Sequence, residues 1–212
     1  MKGKAFAVLA VAGLVLATSA LAAVIEGTPG DDRLRGTREA DVIRAFGGND
    51  IVNARAGNDL VRAGTGDDVV QGDNGSDMIF GGGGNDRIHA GNDDDVAWGG
   101  SGNDTLHGGN GQDALHGGTG NDVVHGGNGD DRLWGGPGAD RLFGGPGDDT
   151  LHALAADGDH DLLDCGPGHD TAKVRASERA STRIVGCETI VIVDNPSAED
   201  EADEADRDAD AE

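Results

Sequence analysis

The sequence is poor in the residues that build a conventional hydrophobic core. It contains no tyrosine, and aromatic residues make up only 3% of its 212 residues. Glycine, in contrast, occurs 39 times. A chain with so few large apolar side chains and so much glycine cannot fold as an ordinary globular domain around one large core.

Positive charge is also scarce. Sixteen lysines and arginines face 40 aspartates and glutamates, which gives a formal net charge of -24 at pH 7. A chain of this charge is repelled by nucleic acid and by anionic membrane surfaces. We therefore expect neither as a partner.

Motifs of catalysis are missing as well. The sequence has no nucleophile elbow of the form G-x-S-x-G and no H-E-x-x-H zinc motif. His160 and His169 each stand directly before an aspartate, but those two aspartates belong to the repeat described below. We predict that the protein is not an enzyme.

Long apolar runs are absent apart from one at the N-terminus. Lys2 and Lys4 precede an apolar stretch from Ala5 to Leu16, and Ala20-Leu21-Ala22 follows it. This order is typical of a secretory signal, and the stretch is shorter than the roughly 20 residues that span a bilayer. We predict a signal peptide at residues 1–22, removal of which leaves a secreted, extracellular protein, free or associated with the cell surface, with no membrane span. The alternative is an uncleaved membrane anchor.

Cysteine occurs only twice, as Cys165 and Cys187. In the oxidising environment that export implies, a lone pair favours a disulfide bond over a metal or redox site. The alternative is two free thiols.

What the chain does have is aspartate at a strict nine-residue spacing, fourteen times without an insertion. The positions are Asp32, Asp41, Asp50, Asp59, Asp68, Asp77, Asp86, Asp95, Asp104, Asp113, Asp122, Asp131, Asp140 and Asp149. The core of a compact domain is irregular and imposes no such period, whereas a solenoid repeats its backbone and hence its side-chain positions. The spacing therefore predicts a solenoid.

Each nine-residue block, counted from Gly27, follows the pattern G-G-x-G-x-D-x-U-x, in which U is aliphatic. After an insertion at Ala153-Leu154-Ala155, two further blocks carry Asp161 and Asp170. The pattern predicts a glycine-rich turn followed by a short strand, with position 8 pointing inward and positions 7 and 9 outward. Two blocks then make one coil of eighteen residues, and successive coils stack in parallel.

This pattern resembles the RTX, or haemolysin-type, calcium-binding repeat family over Gly27 to Lys173. The resemblance implies an all-β, right-handed parallel β-roll with several Ca²⁺ ions between adjacent coils. Aspartate carboxylates and backbone carbonyls would hold the ions, for example between Asp86 and Asp104. All fourteen aspartates of the uninterrupted series, together with Asp161 and Asp170, are the candidate metal ligands.

Physical considerations favour a structural role for the ion. Stacked coils bring like charges to about 5 Å, and one aliphatic side chain per block recovers less free energy than ordering nine residues costs. Calcium binds six to eight oxygen ligands, so its binding free energy can become folding free energy. We expect a disordered chain without calcium and a β-roll with it. The alternative is a metal-free β-solenoid.

The first blocks depart from the pattern. Thr28, Thr37, Phe46 and Arg55 replace glycine at position 2, and Glu39 replaces it at position 4. We therefore expect weaker or empty calcium sites at the N-terminal end.

Position 9 carries unusual side chains in two rows of residues eighteen apart. One row runs Gln71, His89, His107, His125, Phe143, and the other runs Phe80, Trp98, His116, Trp134, His152. Rings at strand spacing can stack and stabilise a sheet. The alternatives are an aromatic platform for a sugar or a protein, and zinc, copper or nickel capture by His89, His107 and His125.

Beyond the repeats, residues 174–193 end in the β-rich run Thr189 to Val193, which we predict to form a cap linked by the Cys165–Cys187 disulfide. Residues 194–212 are Asp, Glu and Ala-rich, which predicts a disordered acidic tail that is either functionless or a weak calcium store. The sequence thus predicts a secreted calcium-binding structural or interaction module whose extracellular partner is not identified. The alternative is a calcium-dependent adhesin or glycan-binding protein that uses the aromatic rows.

Overall fold

The protein is a parallel β-solenoid built from two sheets. The structure is a computed structural model that describes residues 15–16, 22–155 and 157–194. In this part of the chain each sheet has ten strands, and consecutive strands alternate between the two sheets. Every pair of neighbouring strands is parallel, as the eighteen-residue coil predicts.

The strands are short and evenly spaced along the chain. They are β1 Val15–Leu16, β2 Val24–Glu26, β3 Arg33–Arg35, β4 Val42–Arg44, β5 Ile51–Ala56, β6 Leu60–Thr65, β7 Val69–Asn74, β8 Met78–Gly83, β9 Arg87–Asn92, β10 Val96–Ser101, β11 Thr105–Asn110, β12 Ala114–Thr119, β13 Val123–Asn128, β14 Arg132–Trp134, β15 Arg141–Phe143, β16 Thr150–Ala153, β17 Leu162–Asp164, β18 Thr171–Arg175, β19 Arg183–Val185 and β20 Thr189–Val193. The odd-numbered strands form sheet 1 and the even-numbered strands form sheet 2.

The register keeps identical repeat positions side by side. Leu106, at position 8 of β11, lies between Ile88 of β9 and Val124 of β13, each eighteen residues away. The position-8 side chains of the fourteen blocks are all buried. They form one narrow core between the two sheets, so each coil contributes two aliphatic side chains to it.

The strands in the middle of the roll are longer than the three residues that the pattern predicts. From β5 to β13 each strand has six residues and continues through positions 1, 2 and 3 of the next block. Backbone pairing therefore includes the glycines, as in Gly109 beside Gly91 and Gly127. The turn is confined to positions 4 to 6, where the aspartate lies.

The chain continues the roll beyond the regular repeats. Residues 174–193 provide β19 and β20, which add one more parallel strand to each sheet. The Cys165–Cys187 disulfide predicted from the sequence is present. Ile190, Val191 and Ile192 of β20 remain exposed, because no further strand covers the last position of sheet 2 in the described part of the chain.

The N-terminal segment is described only in part. Val15–Leu16 pairs with β3, and these two residues lie inside the segment that we predict to be a signal peptide. No helix long and apolar enough to cross a membrane occurs among the described residues. The acidic tail, apart from Asp194, lies outside the described residues.

Candidate metal centre

The candidate ligands lie inside the roll. All sixteen aspartates predicted from the sequence are buried, with at most 9% of each residue exposed. They sit at position 6, where the turn enters the strand, and the parallel register stacks them in one row along each side of the roll. A row of buried carboxylates requires compensation, because burial strips each charge of its hydration.

One carboxylate oxygen of each aspartate is used by the neighbouring coil. The backbone N–H of Asp86 donates to Oδ1 of Asp104 at 2.7 Å, and Asp104 donates in the same way to Oδ1 of Asp122. Such bonds run from Asp32 to Asp170 along both rows, at 2.6 to 3.0 Å. Oδ1 therefore holds adjacent coils together. The neutral backbone N–H that it accepts leaves the negative charge of the carboxylate uncompensated.

In many blocks the other oxygen, Oδ2, packs against the glycine at position 1 of the same block, where a side chain would collide with it. A Cβ atom built on Gly81 would lie 2.5 Å from Oδ2 of Asp86 and 2.5 Å from the carbonyl oxygen of Gly99, one coil further on. The same two kinds of oxygen approach nine position-1 glycines equally closely. These are Gly27, Gly36, Gly72, Gly81, Gly99, Gly108, Gly117, Gly126 and Gly144.

Many of these Oδ2 atoms have no hydrogen-bond partner among the described residues. They belong to Asp50, Asp59, Asp68, Asp77, Asp95, Asp113, Asp122, Asp131, Asp140, Asp149 and Asp170. An unsatisfied buried oxygen of this kind is rare in proteins and costs about 1–3 kcal/mol or more when charged. Its regular repetition indicates that many coils share the same kind of cation-binding position.

Burial raises the pKa of these carboxyl groups. Desolvation is the largest cause of the rise. The backbone hydrogen bond lowers the pKa, and neighbouring aspartates raise it further. The pKa reaches about 8 for Asp95 and Asp140 and about 6 for Asp113. The ordinary value is 3.8. The electrostatic cost of the charged form identifies the rows as places where a cation would be stabilising.

The donor set suits calcium. The turns present buried carboxylate oxygens and backbone carbonyl oxygens, and calcium takes oxygen ligands almost exclusively. No group of three or more His, Cys, Asp or Glu side chains that could hold a metal by themselves occurs in the described part of the chain. Backbone carbonyls would therefore have to complete the shell.

The first two blocks satisfy their carboxylates differently. The backbone N–H and the hydroxyl of Thr28 both donate to Oδ2 of Asp32, at 2.5 and 2.9 Å. Thr37 bonds both oxygens of Asp41 in a similar manner, through its backbone N–H to Oδ2 and its hydroxyl to Oδ1. The departures at position 2 that the sequence shows thus supply hydrogen-bond donors to the two carboxylates.

Two polar features of the turns were not found from the sequence. Side chains at position 5 form a second ladder in the opposite direction, as when the backbone N–H of Asn103 donates to Oδ1 of Asn85 at 2.9 Å. Glu188 accepts from the backbone N–H of Asp170 at 2.8 Å and so takes the place of a further aspartate. Glu188 lies eighteen residues after Asp170, and that spacing was the available signal.

The two rows at position 9 stack as the sequence predicts. His89, His107 and His125 stack on one another with ring centroids 4.7 and 4.6 Å apart, and Phe143 continues the row. On sheet 2 the stack runs from Phe80 to His152, with centroids 4.2 to 5.3 Å apart.

The second row is less accessible than its outward position suggests. His116, Trp134 and His152 are buried. Face-to-face stacking places each inner ring between two neighbours, so the inner rings turn their edges outward. A sugar stacks on a ring face, and the geometry therefore favours stabilisation of the sheets over a binding platform.

The remaining candidates for chemistry are exposed. His160 and His169 lie on the surface of the turns, and the backbone N–H of His169 donates to Asp148 at 2.9 Å. Nothing in their described surroundings forms a cleft with a second reactive group.

The parallel two-sheet coil with a buried carboxylate in every turn defines a β-roll of the metal-binding repeat class. The pattern of the RTX calcium-binding nonapeptide repeat (four copies) matches residues 26–61, 54–88, 62–97, 80–115, 89–124 and 116–151. These matches cover more than half of the chain, and the protein belongs to this family. No curated protein matches the chain.

Proposed function

We propose that this protein is a secreted calcium-binding module whose β-roll folds when Ca²⁺ enters the gaps between adjacent coils. The observation that supports the proposal is the series of buried Oδ2 atoms that accept no hydrogen bond from the described residues. Calcium supplies positive charge at these points and binds oxygen ligands. The chain's own residues position the oxygens and exclude water, and a backbone N–H of the neighbouring coil donates to Oδ1.

The proposed ligands are the position-6 aspartates, including Asp161 and Asp170, together with the carbonyls of position 1. Residues 1–22 act as the secretory signal, residues 23–173 as the β-roll, residues 174–193 as the end of the roll secured by the disulfide, and residues 194–212 as an acidic tail. The module is structural or mediates interaction outside the cell, and it catalyses no reaction.

Extracellular calcium modules bind their ion at roughly 10⁻⁴ to 10⁻³ M. A chain that folds in this range stays unfolded until it meets calcium outside the cell, which suits export through a narrow channel. The glycan-binding alternative is not proposed, because it requires ring faces that the stacked rows do not present.

The test is far-UV circular dichroism of the chain without residues 1–22, in EDTA and in millimolar calcium. We expect a disordered spectrum in EDTA and a β spectrum in calcium, with magnesium at the same concentration as the control for ionic strength. Equal β content in EDTA and in calcium would rule out folding on calcium binding.

A further inference from the structure

The C-terminal end of the roll reverses the charge of the rest of the chain. Residues 171–193, which provide β18, β19 and β20, carry four basic residues and two acidic ones. The basic residues are Lys173, Arg175, Arg179 and Arg183, and the acidic ones are Glu178 and Glu188. The whole chain, in contrast, has 40 acidic residues against 16 basic ones. This basic end is therefore a place to which a negatively charged segment is attracted.

Both acidic residues of the basic end are engaged in hydrogen bonds. Glu178 is buried and accepts a hydrogen bond from the Ser181 hydroxyl at 3.1 Å. Glu188 accepts the backbone N–H of Asp170 at 2.8 Å. Among the described residues, neither glutamate forms an ion pair with a basic side chain. The two glutamates thus do not neutralise the four cations.

The acidic tail starts at this end of the roll. Arg175 is the register partner of Val193, the last residue of β20, and Asp194 follows Val193 directly. The backbone N–H of Ala176 donates to the carbonyl of Val193 at 3.0 Å, so the chain leaves the roll beside β18. Lys173 lies on the same strand as Arg175, and neighbouring strands are about 4.8 Å apart. Both cations are therefore close to the point from which the tail starts.

The tail has the charge and the length to bind there. Residues 195–212 contain nine acidic residues and one basic residue, Arg207. A segment of this length spans up to about 60 Å when it is extended, which is more than the basic end requires. Single exposed ion pairs are weak, but a tethered segment has a high effective concentration, so several such pairs can act together.

The basic end also presents an unpaired strand edge. In the described part of the chain β20 is the last strand of sheet 2, and Ile190, Val191 and Ile192 are 43%, 39% and 45% exposed. An exposed apolar edge strand is a template for pairing with another chain. A negatively charged segment held beside this edge opposes the approach of a second copy, which carries the same net negative charge.

We propose that the acidic tail binds the basic end of its own roll and thereby keeps a second copy of the chain from pairing with β20. The tail carboxylates meet Lys173, Arg175, Arg179 and Arg183, and salt screens the attraction. The contact uses none of the position-6 aspartates. It goes beyond calcium binding and does not depend on how many ions the roll holds.

Zero-length cross-linking tests the contact, because the chain without residues 1–22 has a single lysine, Lys173. A carbodiimide joins an amine only to a carboxylate that touches it. In samples that circular dichroism shows to be folded, we expect mass spectrometry to find Lys173 joined to tail carboxylates of the same chain. In about 0.5 M salt, where the Debye length is well below 10 Å, the yield should fall about fivefold or more.

The matched control moves the lysine without changing the charge. The double variant Lys173→Arg, Arg87→Lys places the only side-chain amine on β9 of sheet 1, about 24 Å from β19. The tail is long enough to reach β9, but we expect no tail cross-link there. The double variant Arg179→Glu, Arg183→Glu changes two exposed residues, and it should lower the yield at Lys173 about fivefold through the loss of their ion pairs.

Sedimentation velocity tests the protection of β20. A chain that ends after Asp194, and a full-length chain whose nine acidic residues beyond Asp194 are changed to amides, should both self-associate at concentrations at which the unaltered chain is monomeric. Adding Val191→Lys to the shortened chain should restore the monomer, because a charged side chain on an edge strand opposes pairing.

Two kinds of result would overturn the proposal. Tail cross-links of equal yield at Lys173 and at the displaced lysine of the control, or cross-links only between two chains, would show that the tail does not bind its own basic end. A shortened chain that stays monomeric would show that β20 does not need the tail. Neither result affects the calcium function, which the circular dichroism in EDTA and in calcium tests separately.

Discussion

At the scale of single residues, each aspartate separates two tasks between its two oxygens. In Asp113, Oδ1 accepts the backbone N–H of Asp95 at 2.9 Å, whereas Oδ2 packs against Gly108 and accepts no hydrogen bond from the described residues. The first bond holds coils together and works with any acceptor oxygen. In many blocks the second oxygen accepts no hydrogen bond and suits a cation, which agrees with aspartate recurring at position 6 while position 5 varies among Asp, Asn, Ser, Gln and Ala.

Replacing Asp113 with asparagine tests this division. Asp113→Asn keeps an acceptor oxygen for the coil contact but replaces Oδ2 with an amide nitrogen that cannot bind a cation, so we expect the loss of one calcium ion. In saturating calcium the free energy of unfolding should fall by about 1–3 kcal/mol. Urea denaturation measures the change.

The control for that substitution is Asp130→Asn at the exposed position 5. Asp130 accepts the backbone N–H of Asp148 at 2.9 Å, and asparagine can accept the same bond. We expect its effect on stability to stay within about 0.5 kcal/mol. An equal loss in both variants would mean that Oδ2 at position 6 has no special role.

At the scale of the strand and turn, position 2 demands a backbone conformation that glycine adopts most easily. Gly118 has φ of +111°, and a Cβ there would collide with the carbonyl oxygen of Gly100. Arg55 occupies the same position of an earlier block with φ of +89°. A non-glycine residue in this region is strained by roughly 1–2 kcal/mol.

Substitutions at this one position should therefore act in opposite directions. We expect Arg55→Gly to raise the free energy of unfolding in calcium by about 1 kcal/mol, because it removes backbone strain. We expect Gly118→Ala to lower the same free energy by about 2 kcal/mol or more, because it adds both strain and a collision. Thermal unfolding in saturating calcium compares the two, and a loss of stability in Arg55→Gly would contradict the assignment of strain.

At the scale of the whole molecule, the roll concentrates negative charge along two buried rows. The raised pKa values show that the metal-free folded state favours the protonated carboxyl groups. A group whose pKa is higher in the folded than in the unfolded state contributes stability at low pH, and that contribution is lost as the pH rises through the folded value. Protons and calcium are thus alternative ways of neutralising the same rows.

Acidification should accordingly favour the metal-free roll. Burial raises the pKa of Asp50, Asp59 and Asp131 to about 7, and that of Asp95 and Asp140 to about 8. In EDTA with a stabilising osmolyte, we expect the β signal in circular dichroism to grow as the pH falls from 8 to 6.5.

Below that range the histidines oppose the trend. Burial lowers the pKa of His107 and His125, so the folded state resists their protonation as the pH falls below 6.5. In calcium the dependence should reverse, with the calcium midpoint rising at lower pH because protons compete for the carboxylates. A β signal in EDTA that decreases from pH 8 to 6.5 would show that the carboxyl rows do not control the metal-free state.

Much of the fold was predictable because the repeat is uninterrupted. Fourteen blocks without an insertion let a coil of two blocks place every aspartate beside an aspartate and every position-8 aliphatic beside another. The disulfide also followed, because the chain has only one pair of cysteines, and the stacking of the position-9 rings followed from their spacing of eighteen residues. Strand length did not follow, because pairing through the glycines depends on the neighbouring coil.

The sequence by itself determined the solenoid, its eighteen-residue coil and the carboxylate rows, because a strict period repeats every local choice of conformation. Only the tertiary structure decided how each carboxylate is used, because Oδ1 and Oδ2 become different when a second coil supplies an N–H on one side and a carbonyl on the other.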